Sequence, residues 1–387
     1  MIPVEDVRRE VHERPLGLYV HVPFCARRCG YCAFTTYALG DDGDLDVQEH
    51  YVRAALGELE VADQVLGPQR PPLSTVYLGG GTPTMLTAPQ LRSLLDGVRD
   101  RFELAEGVEV SIEANPDGLR PGQLGQLRDA GVTRVSFGMQ SLSRRVLRTL
   151  DRTHDPERAL AAVAAAHGAG FEHVSLDLIY GTPGETAEDW ERTLRAVVDT
   201  GVDHVSAYAL GIEPGTKLAA RVRHGELATP DGDRAADRYL VAESLLGRAG
   251  FEWYELSNWA RSEPARCRHN LLYWEGDHWW GVGPGAHSHV SGVRWWNHTG
   301  LDAWTAAAAG GAVPAEGHEV LTPYQRELER VLLGVRLPHG LPLDDRLDRD
   351  GLGRLVRSGL AVERAGRVVA TVEGRLLADH LVRELVG

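Results

Sequence analysis

Lysine is almost missing from this 387-residue chain: Lys217 is the only one, and arginine carries nearly all of the positive charge. A lysine Schiff base therefore has a single candidate, and chemistry of that kind drops down the list. Cysteine is scarce, four in all, with Cys25, Cys29 and Cys32 falling within eight residues of one another. So tight a bunch reads as a metal site in a reducing cytoplasm rather than as a disulfide framework. No apolar run approaches the roughly 18 residues that cross a bilayer. The N-terminus, Met1-Ile2-Pro3-Val4-Glu5-Asp6, is acidic where a signal peptide is basic, so neither a transmembrane segment nor export is expected. Basic residues are outnumbered, 41 against 55 acidic, for a formal charge of -14. Nucleic acid is not an expected partner of such a surface.

What is present is a repeated alternation. Apolar runs at 17–22, 74–79, 108–114, 134–139, 173–181 and 204–210 read as six strands. Segments 46–65, 88–102, 156–169 and 185–199 between them carry helical periodicity or helix-start signals. Strand-helix units of this kind predict an α/β fold with parallel strands and right-handed crossovers, a partial (β/α)6 barrel. Functional residues are then expected at strand C-terminal ends. The barrel is assigned to residues 1–215. A Trp-, Gly- and His-rich extension follows at 216–310, with a linker expected at Ala306 to Ala312. A small α+β module at 320–387 has helices closed by a hairpin turning at Ala365-Gly366, a winged-helix-like order in acidic surroundings that do not suit DNA.

The densest chemical signal is Cys25-Ala-Arg-Arg-Cys29-Gly-Tyr-Cys32 after the first strand. Thiolates suit iron-sulfur clusters, and three of them leave the fourth iron of a [4Fe-4S] cluster open to a small molecule. A zinc site of three cysteines with His21 is the plainer alternative, although no second Cys-x-x-Cys knuckle exists. Gly79-Gly80-Gly81-Thr82-Pro83 ends the second strand, and a loop without Cβ atoms lets the backbone approach a ligand closely.

This pairing of motifs resembles the radical S-adenosylmethionine superfamily. The resemblance implies that the cofactor's methionine part chelates the open iron. Within the superfamily, Leu18-Tyr19-Val20-His21-Val22-Pro23-Phe24-Cys25 is similar to the oxygen-independent coproporphyrinogen III oxidase group, and the likeness runs over nearly the whole chain. By that resemblance Tyr19, Tyr31, Gly80, Gly81, Thr82, Glu113, Gln140, Arg152 and Asp177 line the S-adenosylmethionine site. Arg152 suits its carboxylate, and the acids and amide suit its ammonium and ribose hydroxyls. The oxidases of that group carry a fourth cysteine two positions after the third, where this chain has Phe34.

An aromatic residue there, with Cys267-Arg268-His269-Asn270-Leu271-Leu272-Tyr273-Trp274, resembles the HemW-type haem-chaperone branch. Its His-Asn-x-x-Tyr-Trp motif implies His269 as a haem contact and iron ligand, beside Tyr273 and Trp274. From the residues alone, imidazole is a common axial ligand, Trp279 and Trp280 offer flat apolar surface, and Arg266 or Arg268 suits propionates. An aromatic core around a hydrogen-bonded histidine is the plainer reading of the same segment. Cys267, His287 and His289 are further candidate contacts. The resemblance thus implies a protein that takes haem and passes it to apo-proteins. The competing expectation is a radical enzyme that decarboxylates a porphyrinogen, and a third is an electron-transfer or sensing protein that keeps only the fold. A cluster on an exposed loop would also suit a homodimer contact.

Overall fold

Helix starts are encoded locally. Thr87 with Gln90 and Thr186 with Asp189 form reciprocal capping boxes, Asp44 accepts from Val47 N, and Asp155 caps a helix with Pro156 in its first turn. Each such cap stabilises its helix by about 1 kcal/mol and fixes where the crossover begins. The helices follow as α1 (Leu45–Leu66), α2 (Ala88–Arg101), α3 (Pro156–Gly168) and α4 (Ala187–Asp199). The strands between them are β1 (Leu16–Val22), β2 (Leu73–Gly80), β3 (Leu104–Ala114), β4 (Arg134–Gln140), β5 (His173–Tyr180) and β6 (His204–Ala209). These six lie side by side in chain order, every neighbouring pair parallel. The computed structural model, which describes residues 2–386, thus places the sequence-predicted strands in the expected α/β arrangement.

The region after β6 extends the same sheet at both margins. β7 (Glu252–Glu255) and β8 (Asn258–Ala260) join beyond β6. Helix α5 (Arg268–Glu275) leads into β9 (His278–Val282), which pairs parallel with β1. β10 (His287–Val290) and β11 (Val293–Asn297) come next, then helix α6 (Leu301–Ala309) and β12 (Ala315–Val320). The result is one twelve-stranded sheet in the order β12-β11-β10-β9-β1-β2-β3-β4-β5-β6-β8-β7. The linker expected at Ala306 to Ala312 is instead the second half of α6 and its end at Gly310. Its four consecutive alanines are the strongest helix formers available, and Trp304 anchors the helix in the core.

Glu58 of α1 ties these added strands to the barrel. Its fully buried carboxylate accepts from Gly283 N at 2.8 Å, Trp304 Nε1 at 2.7 Å and Asn297 Nδ2 at 2.6 Å. Burial pushes its pKa up to about 8 against those three donors. The last segment builds its own small core from Val331, Leu352, Leu355, Val368, Leu381 and Leu385. It comprises α7 (Pro323–Gly334), a helix at Arg349–Arg357, a hairpin of Ala361–Arg364 with Arg367–Ala370, and C-terminal helices. It meets the rest of the chain through the Arg294–Glu329 and Arg326–Glu10 ion pairs and a contact of His339 with Glu275. Among the described residues no helix is long and apolar enough to cross a membrane.

Candidate functional site

Strand C-terminal ends converge on a cavity of about 910 Å³. The cysteine loop crosses its mouth, held by a short pairing of Phe24–Cys25 with Tyr37–Ala38 and by Gly30 N donating to Leu150 O. All three cysteines face the cavity as free thiols. Cys25 Sγ accepts from Thr82 Oγ1 at 3.7 Å and Cys29 Sγ from Arg152 Nη1 at 3.4 Å. Burial pushes the Cys25 thiol up to about 11 and also raises Cys32. Such thiols stay protonated until a metal takes the sulfur.

The zinc alternative does not fit. His21 is buried, its Nε2–H donating to Thr35 O at 2.8 Å and its Nδ1 accepting from Tyr19 OH at 2.9 Å. Both nitrogens are therefore taken. Among the described residues no group of three or more His, Cys, Asp or Glu side chains could share a single metal ion. A cubane cluster needs no such convergence, because each thiolate binds a different iron.

Behind the loop, each residue that the sequence placed at a cofactor site, Tyr19, Tyr31, Gly80, Gly81, Thr82, Glu113, Gln140, Arg152 and Asp177, lines the cavity. Glu113 accepts from Tyr77 OH at 2.8 Å and Gly80 N at 3.0 Å, and Asp177 from Ser136 Oγ at 3.0 Å. Burial, and next the charge of Asp177, pushes the Glu113 carboxyl up to about 7; burial alone pushes Asp177 up to about 6. Gly80 has a φ of +103°, and a Cβ there would come within 2.4 Å of the His21 ring. No other residue fits that turn. Gln140 sits at φ +58° with its Oε1 buried and unpaired, and Arg152 Nε is likewise buried without a partner. Two raised acids, an orphaned amide oxygen and an orphaned N–H around one space fit a cationic amino-acid ligand.

The His-Asn-x-x-Tyr-Trp segment is α5, and it divides. His269 and Tyr273, four residues apart on one helix face, line the cavity; Trp274 does not. His269 is 1% exposed. Its Nδ1 pairs with Thr75 Oγ1 at 2.7 Å and its Nε2 with Tyr273 OH at 2.8 Å, while its ring stacks on Tyr77 at 5.0 Å. Burial holds it neutral, with its pKa down to about 4. Trp280 is fully buried against Trp295 on the opposite side of the sheet and offers no free face. Arg266 pairs with Glu252, and Arg268 donates to Gly107 O at the start of β3, away from the cavity mouth.

Sequence reasoning missed what holds α5 in place. Glu109, on β3, accepts from Arg268 N and His269 N at 3.2 Å each and from Arg134 Nε at 3.0 Å. The ion pair is dry, its side chains 4% and 3% exposed. Against burial, which raises it, Arg134 holds Glu109 below the usual carboxylate range. Cys267 Sγ donates to the same carboxylate at 3.6 Å, and burial raises its thiol. Cys267 therefore belongs to this brace. A charged residue inside a strand four positions before Glu113 was the available signal.

Comparison with known proteins agrees with this geometry. The radical SAM superfamily model matches residues 19–197. The chain is 50% identical over 376 residues, 97% of its length and 95% of the relative's, to a protein of Mycobacterium tuberculosis named heme chaperone HemW. It is 31% identical to the Bacillus subtilis heme chaperone HemW, over 95% of this chain and 98% of that one. The solved coproporphyrinogen III oxidase (HemN) of Escherichia coli, described as a radical SAM enzyme, superposes with a TM-score of 0.83 and 25% identity, covering 99% of this chain and 92% of that one.

Proposed function

The chain belongs to the family of the haem chaperone HemW, within the radical SAM superfamily, and we propose that it binds haem and passes it to apo-proteins in the cytoplasm. One observation carries this reading: the cysteine loop and the His269–Tyr273 face of α5 are walls of a single cavity. On this reading Cys25, Cys29 and Cys32 hold a [4Fe-4S] cluster, with Thr82 and Arg152 hydrogen-bonding two of the sulfurs. Glu113, Asp177 and Gln140 accept from the ammonium and hydroxyls of S-adenosylmethionine, and the free Nε–H of Arg152 meets its carboxylate. When bound, the two groups supply an electron and a sulfonium able to accept it. Tyr19 and Tyr31 close the cofactor space, while Gly80 and Gly81 let the backbone approach. His269 contacts the haem and its iron, beside Tyr273 and Trp274 on the same helix, once its ring nitrogen is released from Thr75 or Tyr273.

The oxidase reading has one observation in its favour, the 0.83 TM-score with HemN over almost the full chain. Phe34, 62% exposed where the oxidases' fourth cysteine would stand, weighs against it. Anaerobic titration of cluster-loaded protein with haem, followed at the Soret band, is expected to saturate, and the loaded protein to pass haem to an apo-haemoprotein. Incubation with coproporphyrinogen III, reductant and S-adenosylmethionine is expected to give no protoporphyrinogen. Its formation, or haem uptake without saturation, overturns the proposal.

A further inference from the structure

A phenol hydrogen-bonded to an imidazole can give up an electron easily, because the base takes the proton as the electron leaves. Tyr273 has such a partner, its OH lying 2.8 Å from His269 Nε2. The other ring nitrogen, Nδ1, is 2.7 Å from Thr75 Oγ1. A neutral imidazole has one N–H, and the phenol is the more acidic of the two hydroxyls. The arrangement that suits both has Tyr273 O–H donating to Nε2 and Nδ1–H donating to Thr75 Oγ1. His269 thus offers Tyr273 a proton acceptor that is buried away from water.

The pair lies inside an unbroken run of aromatic rings. Tyr19 stacks on Tyr77 with centroids 6.2 Å apart, and Tyr77 on the His269 ring at 5.0 Å. Beyond His269, Tyr273 meets it edge-on at 5.0 Å, and Trp279 meets Tyr273 edge-on at 4.6 Å. Tyr19, Tyr77, His269 and Tyr273 line the cavity; Trp279 does not. Trp279 is half-buried, and its Nε1–H donates to His287 O at 3.0 Å in a contact open to solvent. The run therefore begins against the cofactor space and ends at the surface. Packing accounts for the ring contacts, each of which stabilises by about 1 kcal/mol, but phenylalanine would pack as well at 273 and 279. It does not account for an oxidisable phenol and indole in contact, with a base on the phenol.

We propose that Tyr273 is a redox-active tyrosine and that, with Trp279, it relays single electrons from the surface into the cavity of the haem-free chain. An oxygen-centred radical in the cavity takes one electron from Tyr273 and leaves as its anion, while the phenolic proton moves to His269 Nε2. Trp279 returns an electron to the tyrosyl oxygen, and the proton moves back from Nε2. The indole radical cation left at the surface is reduced by a soluble thiolate, which becomes a thiyl radical. One electron has then passed from the thiolate to the oxidant, and each proton of the relay is back where it began. The relay spares the thiols of Cys25, Cys29 and Cys32, which face the same cavity and are oxidisable. It belongs to the chain in which Nε2 is not given to iron, and it stands whether or not the haem-chaperone reading holds.

Pulse radiolysis of the full chain, with azide radicals that oxidise exposed indoles, tests the relay in its reverse direction. In the wild-type chain the indolyl absorption is expected to decay as the tyrosyl absorption rises, in a first-order process independent of protein concentration. That conversion is expected to slow in heavy water, because a proton moves with the electron. Trp279→Phe and Tyr273→Phe are each expected to lose most of it, and His269→Gln to slow it about tenfold. Trp253→Phe, a half-buried indole under Arg375 at the opposite margin of the sheet, is expected to keep it. Under a peroxyl-radical generator, the three loop cysteines of Trp279→Phe are expected to oxidise faster than those of the wild type, read by mass spectrometry of the alkylated chain. No first-order conversion in the wild type, no effect of heavy water on it, or wild-type conversion in either phenylalanine variant overturns the relay. Equal thiol oxidation overturns its protective role.

Discussion

The inner surface of the one sheet has two chemistries. From β2 to β6 it presents carboxylates and hydroxyls, with Glu113, Asp177 and Ser136 around the cavity. From β9 to β11 it presents indoles and imidazoles, with Trp279, His287 and Trp296 on one face and at least partly exposed. The first half pushes its acids up and leaves donors and acceptors unpaired, so it is built for a small cationic ligand that pairs them. The second half offers flat aromatic surface and few free hydrogen-bonding groups. The backbone is continuous between them, so the ligand class is set by side chains and not by the fold.

The sharpest way to break this comparison is to remove the cluster. Cys29→Ser is expected to abolish cluster incorporation, read as loss of acid-labile sulfide and of the broad visible absorption. Haem affinity should stay within about threefold of wild type if the two halves bind independently; a joint loss would merge them into one site.

Glu58→Ala should separate the halves by stability. It strands the Gly283, Asn297 and Trp304 donors in a dry interior, at a cost on the order of 3 kcal/mol or more. Denaturant unfolding is expected to show a midpoint lowered accordingly.

A smaller effect concerns pH. Glu113 and Asp177 hold protons up to about 7 and 6 in the folded protein, against ordinary values of 4.5 and 3.8. In that window the unfolded chain binds fewer protons than the native state, so their contribution to stability is full at low pH and lost as pH rises through about 4 to 7. A cationic cofactor favours the ionised forms, so its binding releases protons and tightens as pH rises towards 7. Calorimetry in buffers of different ionisation heat should detect that release. Glu113→Gln should reduce it and weaken binding about tenfold, or about 1.4 kcal/mol, while haem binding keeps its wild-type pH profile.

Much of the carboxylate half was legible in the sequence because it is local. Glu113 and Gln140 sit at the ends of their own strands, Asp177 lies three residues before the end of its strand and the cysteines follow β1, while the capping residues announce where the next helix begins, so these residues could be placed by counting. The aromatic half was not legible in that way. β9 joins β1 across more than half the chain, and nothing near Trp279 tells it apart from Trp280, although one faces the cavity side and the other packs on Trp295. The engagement of His269 depends on Thr75 and its placement on Glu109, both remote in sequence. The alanines of α6 read as a linker because glycines follow them, but alanine's own helix propensity prevails.

The last prediction tests the aromatic half without touching the cavity lining. Trp296 can lie across β12 only because Gly317 has no side chain, so Gly317→Val should force the indole off the strand. Gly317 is on the outermost strand of the sheet, where a β-branched residue suits the strand itself, and unfolding midpoints should move by less than about 1 kcal/mol. Haem affinity should stay within about twofold of wild type, because neither Gly317 nor Trp296 lines the cavity. Cofactor binding should not move at all. A shift in both affinities would mean that the added strands and the cavity are mechanically one unit, whereas a shift in haem alone would put the porphyrin on the added strands.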